Sequence, residues 1–164
     1  MQEYVTDAVV LNKDPVRDAD ARYSFFTKRF GKIVAKATST RKITSKLAGH
    51  LEPGTVAQIR IVEKHGAQLV DALKSDKLTM ALPDLRFLNL LLAEGEPEPA
   101  LWAELVNGNF SWPRTLRILG WDPEGGVCEQ CGKKIAAFYL TRQEFFCAAC
   151  ASKLDRNALL LLNA

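Results

Sequence analysis

The stretch Arg22-Tyr23-Ser24-Phe25-Phe26-Thr27-Lys28, a turn at Gly31, and then Lys32-Ile33-Val34-Ala35-Lys36-Ala37-Thr38-Ser39 reads as a strand, a tight turn and a second strand. Side chains alternate across a strand, so Tyr23 and Phe25 share one face with Ile33, Ala35 and Ala37, while Arg22, Ser24, Phe26 and Lys28 share the other with Lys32, Val34, Lys36 and Thr38. The first set suits a core and the second a surface. Working outward, Tyr4–Asn12 precedes this pair with the same alternation, and Thr55–Glu63 and Ala67–Leu73 follow it, joined at His65-Gly66. The gap Thr40–Gly54 is too long for a hairpin and holds a short helix at Ser45–His50, with Thr44 or Ser45 as its cap. Five strands with an insert after the third predict an OB-fold barrel over residues 1–76, an architecture whose sheet face and loops bind oligonucleotides.

Charge is distributed to match. The chain of 164 residues carries a net charge of only +3, yet Ala21–Leu51 contains no Asp or Glu and eight cations, Arg22, Lys28, Arg29, Lys32, Lys36, Arg41, Lys42 and Lys46. A local field of one sign is the footprint of a polyanion, most often nucleic acid, and otherwise a solvated face that keeps a protein soluble. These eight residues, with Phe26 as a ring on which a base can stack between cations, are the candidate nucleic-acid contacts; the bland reading of Phe26 is that it packs under the neighbouring loop.

Residues 77–164 have a different character. Pro83 opens an apolar helix through Leu92, Glu94-Gly95-Glu96-Pro97-Glu98-Pro99 is an acidic linker, Ala100–Val106 is a second helix, and Ser111 caps a third over Pro113–Leu119. Ser152 is expected to cap a last helix through Leu154 and Leu159–Leu162. Between these lies Cys128-x2-Cys131-x15-Cys147-x2-Cys150, using all four cysteines of the chain. Two Cys-x2-Cys pairs across one loop have the spacing of a closed tetrahedral site with no position left to activate water. Zn²⁺ suits it best as a structural ion; an iron centre or disulfides are the alternatives. The expected class is α+β, a barrel followed by a helical domain carrying a four-cysteine finger over 128–150.

Little supports catalysis. His50 and His65 fall in a helix end and a turn, Asp14, Asp18 and Asp20 form a solvated loop, and no phosphate-cradling or nucleophile motif is present. A binding module rather than an enzyme is expected. No apolar run reaches the length of a membrane helix, and thiolate ligands need a reducing compartment, so the expected location is the cytoplasm, with the nucleoid.

The order of the pieces resembles a known family. Val5-Thr6-Asp7-Ala8-Val9-Val10-Leu11, the acidic loop, Phe25-Phe26-Thr27-Lys28-Arg29-Phe30-Gly31-Lys32, and later Leu116-Arg117-Ile118-Leu119-Gly120-Trp121-Asp122-Pro123 before Cys128-Glu129-Gln130-Cys131-Gly132 are similar to the bacterial recombination mediator family RecO, in a short form. The resemblance implies a non-catalytic DNA-repair role: binding single- and double-stranded DNA, annealing strands and, with RecR, loading RecA onto DNA coated by single-strand-binding protein. The alternatives are a protein-docking adaptor and a zinc-ribbon RNA-binding factor.

Overall fold

The computed structural model describes residues 1–17, 19–38 and 51–162, so the expected helix at Ser45–His50, Asp18, and the candidates Arg41, Lys42 and Lys46 lie outside the described residues. Two compact units form, Met1–Gly108 and Asn109–Ala164.

The first unit is built on five strands, β1 (Gln2–Pro15), β2 (Ala21–Thr27), β3 (Gly31–Ala37), β4 (Thr55–Glu63) and β5 (Ala67–Lys77), closed in the order β1-β2-β3-β5-β4. β1 is long enough to pair along Gln2–Val9 with β4 and along Ala8–Pro15 with β2, and the register slips between Val10 and Asn12 where it bends from one partner to the other. Closure comes from a parallel contact of β3 with β5 at Lys36 and Gln68. The interior follows the alternation of the sequence: Tyr23 and Phe25 stack with ring centroids 5.7 Å apart, surrounded by Ala8, Ala35, Ala37 and Ala57, with Ile59 and Ile61 filling the rest. Small residues opposite large ones let a narrow barrel hold two rings.

The barrel also has a buried outer face. Val9, Leu11 and Phe26 point away from the interior, yet none is more than 2% exposed. Two helices follow the strands, α1 (Leu82–Leu91) and α2 (Pro99–Val106), each with a proline in its first turn, where the missing N–H has no intrahelical partner to lose. They bury Leu85, Leu88, Leu101, Trp102 and Leu105, α1 packs on β1, and Trp102 meets Phe26 with ring centroids 6.0 Å apart. These helices belong to the barrel's compact unit, whereas the sequence reading set them with the finger.

The acidic segment between the helices is a strap on the edge of β3. Gly95 N–H donates to Lys32 O at 3.0 Å, and Lys32 pairs with Glu94. Gly31 makes this approach feasible: its φ is +69°, and a side chain there would run into the Glu96 backbone. Gly31→Ala is therefore expected to lower stability by roughly 2 kcal/mol or more, from left-handed strain of about 1–2 kcal/mol plus displacement of the strap. Urea denaturation measures the loss, and faster amide exchange at Gly95 would locate it; an unchanged Gly95 would mean the strap does not need the glycine.

The second unit begins with α3 (Trp112–Ile118). Ser111 occupies its N-cap position, but its side chain makes no capping bond, contrary to expectation. The helix ends in a Schellman turn, with Trp121 N–H bonded to Leu116 O and Gly120 N–H to Arg117 O. A small sheet of β6 (Ala137–Tyr139), β7 (Glu144–Phe146) and β8 (Leu159–Leu161) is ordered β7-β6-β8. The expected C-terminal helix is replaced. A short α4 (Ala148–Ala151) starts at Cys147, and Ser152 sits at its C-terminal end with the hydroxyl donating to Ala149 O. The Asp155 carboxylate accepts from Asn157 N–H and turns the chain through a 3₁₀ segment at Arg156–Ala158, after which the leucines pair with β6 as β8. The reason is local: the cysteine pair fixes where the helix starts, the helix ends at Ser152, Asp155 turns the chain, and the four consecutive leucines Leu159–Leu162 suit a strand as well as a helix. Among the described residues no helix is long and apolar enough to cross a membrane.

Candidate metal centre and nucleic-acid interface

The four cysteines converge. All four sulfurs lie within 4.8 Å of one another, with Cys131 Sγ 3.6 Å from Cys147 Sγ and 3.8 Å from Cys150 Sγ. The first pair sits in a loop closed by Cys128 N–H to Lys133 O and Gly132 N–H to Cys128 O, both 2.8 Å, and the second spans the start of α4, where Cys150 N–H points at Cys147 Sγ at 3.4 Å. At Cys128 burial opposes ionisation, but backbone N–H groups, that of Cys147 foremost, outweigh it and bring the thiol down to about 6. Cys150 goes the other way, up to about 12, chiefly because it donates its hydrogen to Cys147. Four thiols this close cannot all ionise without a cation among them, and the donor set fits a structural metal ion.

On the barrel, Arg22 and Lys36 are cross-strand partners and both are exposed. Lys36 also pairs with Asp20 at 2.9 Å. Lys28 and Arg29 are exposed at the tip of the β2–β3 hairpin, about 20 Å from Arg22 by strand rise. Thr27 pins that tip from inside: its hydroxyl donates to Gly31 O at 2.8 Å and accepts from Phe30 N–H at 3.0 Å, which explains the Thr-x3-Gly-Lys pattern.

Two candidates are placed differently from expectation. Phe26 is fully buried under Trp102 and presents no ring to a base, so it leaves the set. Its strand face was read correctly, but a helix more than seventy residues later in the chain covers it. Lys32 is half-buried and its ammonium donates to Asn89 O at 2.8 Å, in the last turn of α1. There it satisfies a carbonyl at the negative end of the helix and ties α1 to the barrel. Among the described residues the exposed candidate cations thus form two clusters, Arg22 with Lys36 and Lys28 with Arg29.

Sequence reasoning passed over two rings. Tyr4 and Phe30 are half-buried, 4.5 Å apart between centroids, with the Arg29 guanidinium 5.2 Å from the Phe30 centroid. The Tyr4 hydroxyl donates to Glu63 at 3.0 Å, and burial, then that carboxylate, pushes its pKa up to about 12. They line a cleft of about 630 Å³ walled on one side by the strap. The available signal was an aromatic between a cation and a glycine in a turn, Arg29-Phe30-Gly31, which strand alternation does not capture.

Residues 1–77 match the family described as recombination protein O N terminal. The chain is 29% identical to the DNA repair protein RecO of Thermodesulfovibrio yellowstonii over 91% of its own length and 70% of the relative's. To the protein of the same name from Desulforudis audaxviator it is 28% identical over 80% and 63%, and to that of Frankia casuarinae 31% identical over 62% and 46%. Residues 1–77 thus resemble a RecO N-terminal domain, and the similarity to RecO proteins continues through most of the chain, which spans 63–70% of the length of the first two relatives.

Proposed function

We propose, on the premise of this RecO kinship, that the chain is a non-catalytic DNA-binding mediator of recombination in DNA repair. The observation that carries the reading is the exposed cation set Arg22, Lys28, Arg29 and Lys36 on a barrel of this family. Cations bind phosphates without regard to sequence, through release of the counterions those phosphates hold. With Phe26 buried, the cations Arg22 and Lys36 stand on the β2–β3 face with no ring between them, so strands held across that pair keep their base edges free to pair. That combination favours annealing: two backbones are neutralised and the bases are left to find each other. Single- and double-stranded DNA both fit such a surface, and RecR, RecA and single-strand-binding protein enter as the partners that the family resemblance implies.

In the same reading the four-cysteine centre holds Zn²⁺. Zinc–sulfur bonds of about 2.3 Å at tetrahedral angles put sulfurs about 3.8 Å apart, which agrees with the 3.6 and 3.8 Å separations from Cys131. Cys128, Cys131, Cys147 and Cys150 fill every position, so the ion is structural.

Annealing kinetics test the proposal. Complementary labelled oligonucleotides are expected to pair faster with the purified chain than without it, in the absence of ATP and irrespective of sequence. Binding without any acceleration would discard the mediator role and leave a docking module.

A further inference from the structure

We propose that the cleft between the barrel and the Glu94–Pro97 strap is a seat for one unpaired nucleobase of a single strand. The inference rests on the DNA-binding reading above and adds a site to it. Its first support is a gap in the sheet. Lys32 O accepts from the strap, so the Lys32 peptide faces away from β2. Strand period two turns the Val34 and Lys36 peptides the same way. Among the described residues that edge of β3 is taken at Lys32 by the strap and at Lys36 by β5, which leaves the Val34 N–H and C=O directed into the cleft between them.

One donor and one acceptor side by side match the edge of a base. An extended peptide joining the sheet would need a run of such groups, and only one residue offers them. The second support is the wall. Phe30 and Tyr4 present half-buried rings, and Tyr4 is held in place by its bond to Glu63. A base stacks on such rings whatever its identity. The third is charge. The Glu63 and Glu94 side chains line the cleft and oppose entry of phosphate, while Arg29 also lines it and Lys28 stands next to it in the hairpin tip. A nucleotide therefore enters base first, with its phosphates left on the hairpin cations. At about 630 Å³ the cleft is of the size that holds small ligands. A base in a duplex is stacked and paired and cannot enter, so the seat favours single strands.

The test compares a labelled oligothymidine with an abasic oligomer of equal length and charge, on the intact chain. Wild type is expected to bind the thymidine strand on the order of tenfold more tightly, within the range stacking of one base supplies. Phe30→Leu, which keeps an apolar side chain at the hairpin, is expected to abolish that preference while the salt dependence stays as in wild type. Tyr4→Phe, which keeps the ring, is expected to retain it. Equal binding of the two oligomers by wild type would overturn the base seat and leave the phosphate surface standing. A preference that survives in Phe30→Leu would overturn it too. Failure to bind either oligomer at low salt would overturn both the seat and the DNA-binding reading.

Discussion

Cys131→Ser is expected to unfold Asn109–Ala164 and to leave Met1–Gly108 folded. The second unit has three strands of three residues each, and the cluster at the centre of its sheet is made of Cys128, Cys147, Ala137, Ala151 and Phe146. Two of the metal ligands are thus themselves part of the core. A unit of this size buries too little apolar surface to be secure without a staple. A structural zinc site contributes apparent binding free energies of about 10–16 kcal/mol in small peptides, as large as the whole net stability of a typical domain. Removing one thiolate, or the ion with a chelator, takes away the largest single contribution. The barrel has its own interior around Tyr23 and Phe25 and an outer layer around Trp102, neither of which contains a cysteine. Amide spectra should show the resonances of 109–162 collapse while those of the barrel persist, and metal analysis should give about one ion per wild-type chain. Well-dispersed signals from β6 and β8 after complete chelation would show the centre to be dispensable.

What could be read from the sequence followed from how local each feature is. Strand alternation assigned Tyr23, Phe25, Ala35 and Ala37 to the barrel interior, and the closed order of five strands agrees with the expected architecture. The cysteine spacing places two ligand pairs within short reach along the chain and was legible for the same reason. Alternation tells which face a residue takes, but not what covers that face. Phe26 was assigned the right side and the wrong surroundings, because Trp102 arrives from α2. Lys32 was read as a surface charge, because nothing near it in sequence announces that the Asn89 carbonyl will accept a hydrogen bond from its ammonium. The C-terminal leucines fit a helix or a strand on pattern alone, and the Asp155 turn decided between them.

The fate of Lys32 divides the cations into two kinds, and salt dependence separates them. Four exposed cations on phosphates give a slope of log affinity against log salt near −2.8 for single strands, about −0.7 for each. Replacing Arg22 and Lys36 together by glutamine is expected to flatten that slope by about 1.4, equally for all sequences. Lys32→Met should leave the slope unchanged and lower stability by about 1 kcal/mol, since a half-exposed ammonium that caps a helix carbonyl contributes modestly. Asp20→Asn should act oppositely to the double variant. Asp20 holds Lys36 at 2.9 Å in a partly exposed pair, and an incoming phosphate must compete with it. Such pairs contribute about 0.2–1 kcal/mol, so releasing Lys36 is expected to tighten binding by roughly 1.4-fold to fivefold at low salt, with the gain fading as salt rises. Fluorescence anisotropy across a salt series reads all three. If Lys32→Met flattens the slope as much as a single change at Lys36 does, its ammonium leaves Asn89 for DNA and the division fails. If the Arg22 and Lys36 double variant matches wild type at every salt, the phosphate track lies off this face, and the hairpin pair Lys28 and Arg29 becomes the next place to change.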